Sequence, residues 1–188
     1  MTPPRILIAC IGNIFLGDDG FGVEVARRMA GRSLPPGVTL KDFGIRGFDL
    51  TYALLEPYDL VILVDACPRG GDPGAVYLID PAGDSLPDAA PGPLDMHGMN
   101  PMKVLRTVKS MGGPQNRTLI VGCEPVDLGS DEEGKLGLSE AVMAAVDVAI
   151  DMIEKLVFAG FSPHAVPQSR QGEMQCQLKT AEAQCPQP

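Results

Sequence analysis

Continuous apolar runs alternate along the chain with segments whose apolar residues repeat at helical spacing. The runs predict five strands, at 6–11, 38–42, 60–64, 75–79 and 118–123. The helical segments are predicted to begin near Asp18 and Asp19, Asp49, Asn100 and Ser139. Strands that alternate with helices indicate a parallel or mixed sheet with helices on both faces.

The first strand runs into a glycine-rich turn that carries two adjacent carboxylates, Asp18 and Asp19. No lysine or arginine lies between Arg5 and Arg27, and the glycine spacing does not match the dinucleotide-binding fingerprint. Two carboxylates repel a phosphate, so the turn favours a cation or a proton. A simpler alternative is that one of them caps the following helix, which contributes roughly 1 kcal/mol.

Composition narrows the possible functions. The 188 residues carry a net charge of −9, which argues against a nucleic-acid-binding face. No apolar run approaches the roughly 18 residues of a membrane span. The five cysteines contain no CxxC pair, which predicts a reducing, cytoplasmic location. We expect a single α/β domain over 1–160 and a Gln- and Pro-rich tail over 161–188 that is disordered or loosely packed.

Acidic residues follow three of the predicted strands. They are Asp19 after the first, Asp65 after the third and Glu124 after the last. Ligands of such sheets collect at the carboxyl ends of the strands. His97 lies in a Pro- and Gly-rich loop over 81–99, and loops of this length are more often functional than not. Asp19, Asp65 and His97 therefore form a candidate facial metal site with open positions.

Simpler interpretations of these residues remain open. Asp65 could cap the next turn, and His97 could be a surface histidine. Met96 and Met99 flank His97 and could form a soft-metal cluster with it, although methionines at this spacing more often serve packing. The acidic, glycine-rich segment 127–137 is predicted to be a solvated loop.

Three motifs resemble the [NiFe]-hydrogenase maturation endopeptidases. They are GNIFLGDDGFGV at 12–23, LVILVD at 60–65, and DMH at 95–97 ahead of MKVL at 102–105. The resemblance extends from Arg5 to about Val157. It implies a three-layer αβα sandwich of the phosphorylase/hydrolase-like type, in which a mostly parallel, twisted sheet lies between two layers of helices.

This resemblance also implies an activity and a set of site residues. Members of the family remove a C-terminal peptide from the precursor of the hydrogenase large subunit after nickel insertion. Asp19, Asp65 and His97 match the family's three nickel-coordinating positions, so they are predicted to be both the catalytic groups and the metal ligands. The nickel is expected to arrive with the precursor, and the chain itself to retain little metal. We expect a monomer that binds this precursor, and neither nucleic acid nor a membrane.

A loop linked to substrate selection in this family corresponds to Asp42, Gly44 and Gly47, which are therefore predicted to bind substrate. The family usually reads Asp-Gly-Gly-Thr there, whereas this chain has Ile45 and Arg46. The departure leaves the particular hydrogenase partner open. Two alternative functions also remain: a non-catalytic, nickel-dependent chaperone of the precursor, and a conventional hydrolase that holds its own zinc or manganese.

Overall fold

The computed structural model describes residues 2–82, 101–129 and 134–158. Its strands β1 to β5 are Ile6–Ile11, Val38–Gly44, Leu60–Ala66, Val76–Ile79 and Thr118–Cys123. Its helices α1 to α4 are Phe21–Met29, Gly47–Leu54, Pro101–Ser110 and Glu140–Phe158, and a short 3-10 helix spans Gly17–Gly20. Within these ranges no helix is both long and apolar enough to cross a membrane.

The strands form one mixed sheet in the order β2-β1-β3-β5-β4. All neighbouring pairs are parallel except β4 and β5, which are antiparallel. No helix separates β3 from β4. The chain therefore does not cross back to the other end of the sheet, and β4 runs in the opposite direction. The sequence-based prediction of a mostly parallel sheet is confirmed.

Helices cover both faces of the sheet and make three layers. In β1, Ile8 and Cys10 pack in the cluster that contains α1 and α4, whereas Ala9 and Ile11 pack in the cluster that contains α2 and α3. Each central strand is therefore apolar on both faces, which is why β1 and β3 are continuous apolar runs in the sequence. The predicted αβα sandwich is confirmed.

The strand order creates a crevice between β1 and β3. The chain leaves β1 toward β2, and it leaves β3 toward the opposite edge of the sheet. The loops that follow these two neighbouring strands therefore diverge, and such a divergence is where α/β sheets bind ligands. Register pairs Cys10 with Val64, so Asp65 lies beside the turn that follows β1.

The alternative that Asp18 or Asp19 caps the first helix is wrong, and the second helix begins slightly before the predicted start near Asp49. α1 begins at Phe21 after the 3-10 helix, and its N-cap is Gly20, so neither Asp18 nor Asp19 caps it. α2 begins at Gly47, which places Asp49 inside its first turn. The predictions for His97, Met96 and Met99 and for the 161–188 tail lie outside the described residues.

Candidate active site

Two predicted site residues, Asp19 and Asp65, lie at the carboxyl ends of the neighbouring strands β1 and β3. Asp19 is half-buried in the 3-10 helix, and its Oδ2 accepts a hydrogen bond from the Asn13 amide at 2.8 Å. Asp65 is 6% exposed, and its Oδ1 accepts a hydrogen bond from the Ala66 amide at 2.9 Å. Across the described part of the chain, neither carboxylate has a salt bridge to a lysine or arginine.

Burial raises the pKa values of both carboxylates, and repulsion by Asp19 adds to the effect at Asp65. Burial is the main cause for Asp65, whose pKa lies well above its ordinary value, and the charge of Asp19 raises it further. Burial also raises the pKa of Asp19, although the Asn13 amide partly offsets the effect. Two desolvated carboxylates that repel each other are relieved by a cation or by a proton. The pair can therefore bind a metal ion or exchange a proton with a substrate.

Two glycines permit the close packing that brings the pair together. Gly12 has a φ of +144°, and a Cβ there would lie 2.0 Å from the carbonyl oxygen of Asp19. Gly22 lies in the first turn of α1, where a Cβ would come within 2.2 Å of the Ile11 carbonyl oxygen and 2.4 Å of the Val64 carbonyl oxygen. The start of α1 therefore rests directly on the ends of β1 and β3.

Asp18 has a different role from Asp19. It is 2% exposed, and its carboxylate accepts hydrogen bonds from the amides of Val126 at 2.8 Å, Asp127 at 3.3 Å and Ser139 at 2.6 Å. A fourth bond comes from the Ser139 hydroxyl at 3.0 Å. All of these donors belong to the segment between β5 and α4, so Asp18 attaches that segment to the loop that carries Asp19.

The described residues of the 127–137 loop are exposed, apart from the partly buried Leu128, as predicted for a solvated loop, but the loop is also bonded to the rest of the site. The Gly17 amide donates to the Lys135 carbonyl at 2.6 Å, and the Lys135 amide donates to the Phe15 carbonyl at 2.7 Å. The Asp18 amide donates to the Asp127 carbonyl at 3.2 Å. Backbone hydrogen bonds therefore fix this loop against the turn after β1.

Glu124, the third acidic residue at this edge, organises the loop after β3. Its carboxylate accepts hydrogen bonds from the Arg69 amide at 2.9 Å, the Gly70 amide at 3.0 Å and the Tyr77 hydroxyl at 2.8 Å. Burial raises its pKa, but these hydrogen bonds outweigh burial and leave the pKa below its ordinary value. Glu124 is therefore a fully bonded carboxylate that shapes the loop next to Asp65.

The predicted substrate-binding residues form the turn at the end of β2. The Asp42 carboxylate accepts a hydrogen bond from the Gly44 amide at 2.8 Å. Gly44 has a φ of +52°, which favours glycine, and its carbonyl accepts a hydrogen bond from the Gly12 amide at 3.1 Å. Gly47 is the first residue of α2. The three residues thus lie next to the turn that leads to Asp19, and their role in binding substrate stays a prediction.

His97, the third predicted ligand, lies outside the described residues. Among residues 2–82, 101–129 and 134–158, no three His, Cys, Asp or Glu side chains cluster closely enough to hold a metal. The described part of the site is therefore the Asp19 and Asp65 pair, and the complete ligand set stays a prediction.

Comparison with known proteins identifies the family. The HycI model, described as hydrogenase maturation protease, matches residues 23–156. The chain belongs to the hydrogenase maturation protease family. The protease is 34% identical over 150 residues to the hydrogenase expression/formation protein HupD of Rhodobacter capsulatus, an alignment that covers 79% of this chain and 69% of HupD.

Solved structures of the family share the fold. The [NiFe] hydrogenase maturation protease HycI from Thermococcus kodakarensis is 26% identical, with a TM-score of 0.62 over 82% of this chain and 93% of that one. The hydrogenase 2 maturation peptidase from a Thaumarchaeota archaeon is 29% identical, with a TM-score of 0.57 over 80% and 96%. The predicted family, fold and enzyme class, an endopeptidase of hydrogenase maturation, are confirmed.

Proposed function

We propose that this protease removes a C-terminal peptide from the precursor of a [NiFe]-hydrogenase large subunit after nickel has been inserted. The observation that most supports the proposal is the pair of desolvated carboxylates, Asp19 and Asp65, on neighbouring strand ends. Burial disfavours the charge of both, the charge of Asp19 further disfavours that of Asp65, and within the described residues no lysine or arginine forms a salt bridge with either. A bound cation would stabilise the charged form of both carboxylates.

The nickel of the precursor supplies that cation. Carboxylate and imidazole groups suit a borderline divalent metal, so Asp19, Asp65 and His97 together offer a fitting set of three ligands. Asp19 is the more exposed of the two described carboxylates and is placed to contact water, whereas the buried Asp65 holds its position at the end of β3. The seated nickel would polarise the scissile carbonyl or hold the attacking water. A precursor without nickel leaves the carboxylate repulsion unrelieved and is not cut.

A cleavage assay tests the proposal directly. The precursor is offered with and without nickel, and shortening of the large subunit is followed by its mobility on a gel. We expect shortening of the nickel-loaded form alone. Cleavage of both forms would support the protease activity and contradict the recognition of nickel. A stable complex that is never cut would instead indicate a chaperone.

Variants and metal analysis sharpen the assignment. We expect Asp19→Asn and Asp65→Asn to lose at least about a hundredfold in cleavage rate, while Asp151→Asn, on the exposed side of α4, cuts normally. The purified protease is expected to carry well under one metal ion per chain. A stoichiometric zinc or manganese ion required for activity would favour a conventional metal-dependent hydrolase.

We further propose that the protease acts in the cytoplasm. Cys10, Cys67 and Cys123 are free thiols, which fits a reducing compartment. Fractionation of cells that produce the protease, with detection by antibody, tests the location, and recovery in a membrane or extracellular fraction would contradict it.

A further inference from the structure

Large apolar side chains are exposed around the crevice that holds Asp19 and Asp65. They come from the turn after β1, from the turn after β2 with the start of α2, and from the segment before α4. We call them the apolar rim; its members are Ile14, Phe15, Ile45, Phe48, Tyr52 and Leu136. Phe48 is 81% exposed and Leu136 is 77% exposed, and exposure of this extent at several neighbouring sites is typical of a docking surface.

Backbone hydrogen bonds connect the segments that carry the rim. The Gly12 amide bonds to the Gly44 carbonyl, which brings Ile14 and Ile45 onto adjoining turns. The Lys135 amide bonds to the Phe15 carbonyl, which places Leu136 next to Phe15. Phe48 and Tyr52 are one helical turn apart, so they lie on the same side of α2.

Two ion pairs lie among the rim residues. Arg46 pairs with Asp49 at 3.2 Å, beside Ile45 and Phe48. Lys135 pairs with Asp127 at 3.3 Å, next to Leu136. Asp42 lies in the same turn as Ile45, and its carboxylate accepts a hydrogen bond from the Gly44 amide. Both cations of these pairs are compensated, and the exposed apolar side chains between them favour a partner with an apolar face.

We propose that the apolar rim docks an uncharged, apolar face of the folded large-subunit precursor and so delivers its C-terminal peptide to Asp19 and Asp65. This inference rests on the proposed function, because it takes the precursor as the occupant. Part of the rim belongs to the turn that carries Asp19 and to the neighbouring turn after β2, so a protein that presents a peptide to the pair would lie close to the rim. The rim side chains are expected to contribute to the affinity for the precursor and not to the cleavage step, because none of them is a carboxylate or an imidazole.

Matched phenylalanine variants test the docking surface. Phe15 and Phe158 are almost equally exposed, at 62% and 59%, but Phe158 lies at the far end of α4, away from the crevice. We expect Phe15→Ser and Phe48→Ser to raise KM for the nickel-loaded precursor about tenfold, equivalent to ~1.4 kcal/mol, with kcat nearly unchanged. Phe158→Ser is expected to keep the KM of the unaltered protease.

Binding measured without cleavage separates this inference from the proposed function. The same substitutions are placed in the Asp65→Asn protease, and its affinity for the nickel-loaded precursor is measured by calorimetry at low and high salt. Rim-dependent affinity that does not fall with salt supports docking, even if the unaltered protease turns out not to cut the precursor. Rim-dependent binding together with an absence of cleavage would contradict only the proposed function and would leave the docking inference in place.

Four outcomes would overturn the inference. In the first, rim variants bind like Phe158→Ser; in the second, they lower kcat while KM stays constant. In the third, affinity falls steeply as salt is added, which would indicate a charged interface. In the last, gel filtration shows that the rim joins two copies of this chain and that its variants separate them without changing precursor binding.

Discussion

Asp18 accepts two hydrogen bonds from Ser139, one from its amide at 2.6 Å and one from its hydroxyl at 3.0 Å. Ser139 directly precedes α4, and its hydroxyl accepts a bond from the Val142 amide at 3.4 Å, so it caps that helix. The Asp18 charge also lies near the positive N-terminal end of α4. The loop that carries Asp19 is therefore attached to a helix that begins more than a hundred residues later.

We expect Asp18→Asn to lower the free energy of unfolding by about 2 kcal/mol. Both Asp18 oxygens accept hydrogen bonds from N–H or O–H donors. In asparagine the NH2 group replaces one of these oxygens, and it cannot accept a hydrogen bond from the donors that face it. Denaturation by urea measures the loss. Ser139→Ala is the matched change on the other side of the contact and should cost about 1 kcal/mol, because it removes the hydroxyl and leaves the amide bond. Equal stability of Asp18→Asn and the unaltered protease would contradict this role.

Asparagine at Asp65 or Asp19 should raise the free energy of unfolding, whereas asparagine at Asp18 should lower it. Asp65→Asn removes a buried charge whose pKa is raised by burial and by Asp19, so we expect the free energy of unfolding to rise by about 1 kcal/mol at neutral pH. Asp19→Asn should give a smaller gain, because Asp19 is less buried and its charge accepts the Asn13 hydrogen bond. Under the proposed function both variants are expected to lose cleavage, because functional residues often reduce the stability of the fold.

Thermal unfolding of Asp65→Asn, Asp19→Asn and Asp18→Asn, compared side by side, checks this contrast. Asp151→Asn serves as the control for loss of one negative charge from the surface. An Asp65→Asn protease that is less stable than the unaltered chain would show that its charge is compensated in the folded state.

Gly12→Ala and Gly22→Ala should each destabilise the protease by about 3 kcal/mol. The added methyl group would collide with the Asp19 carbonyl oxygen in the first variant and with the Ile11 and Val64 carbonyl oxygens in the second. Because these contacts are with backbone atoms, relief requires the β1 turn or the start of α1 to move, and cleavage should fall with stability.

Gly31→Ala is the control for these glycine variants, since no atom lies within 4 Å of a Cβ built at Gly31. Its free energy of unfolding is expected to stay within about 0.5 kcal/mol of the original. If Gly22→Ala were equally harmless, α1 could not be packed as closely on the strand ends as the structure shows.

The contribution of Glu24 to stability should depend on pH. Its carboxylate accepts hydrogen bonds from Arg27 at 2.7 Å and Arg28 at 3.0 Å. These bonds lower the pKa of Glu24 below the ordinary 4.5, and the bond from Arg27 has the larger effect. The folded protein thus binds the proton less readily than the unfolded chain. The stabilisation is therefore present above pH 4.5 and is lost as the pH falls through the lowered value.

Glu24→Gln tests this dependence by urea denaturation over a range of pH. At neutral pH the variant should be less stable than the unaltered protease, and the difference should disappear as the pH falls below 4.5 and through the lowered pKa of Glu24. A difference that persists unchanged in acid would mean that Glu24 stabilises α1 through its packing and not through its charge.

The sequence by itself determined the elements and the family. β1 and β3 are buried on both faces, so each had to be a continuous apolar run, and the segment 118–123 was predicted with the bounds that the structure has. The burial of a strand and the apolar spacing of a helix can be predicted from the residues of that segment alone. The same local pattern placed Asp19 and Asp65 after strands, and the carboxyl ends of parallel strands necessarily meet at one edge.

Only the tertiary structure decided what each carboxylate does. Asp18 and Asp19 are adjacent and chemically identical in the sequence, yet one is surrounded by donors from beyond β5 and the other faces Asp65. The antiparallel direction of β4 and the attachment of Lys135 to Phe15 depend likewise on distant partners. Hydrogen bonds and repulsion between residues far apart in the chain arise only when folding brings those residues together, and no local pattern records them.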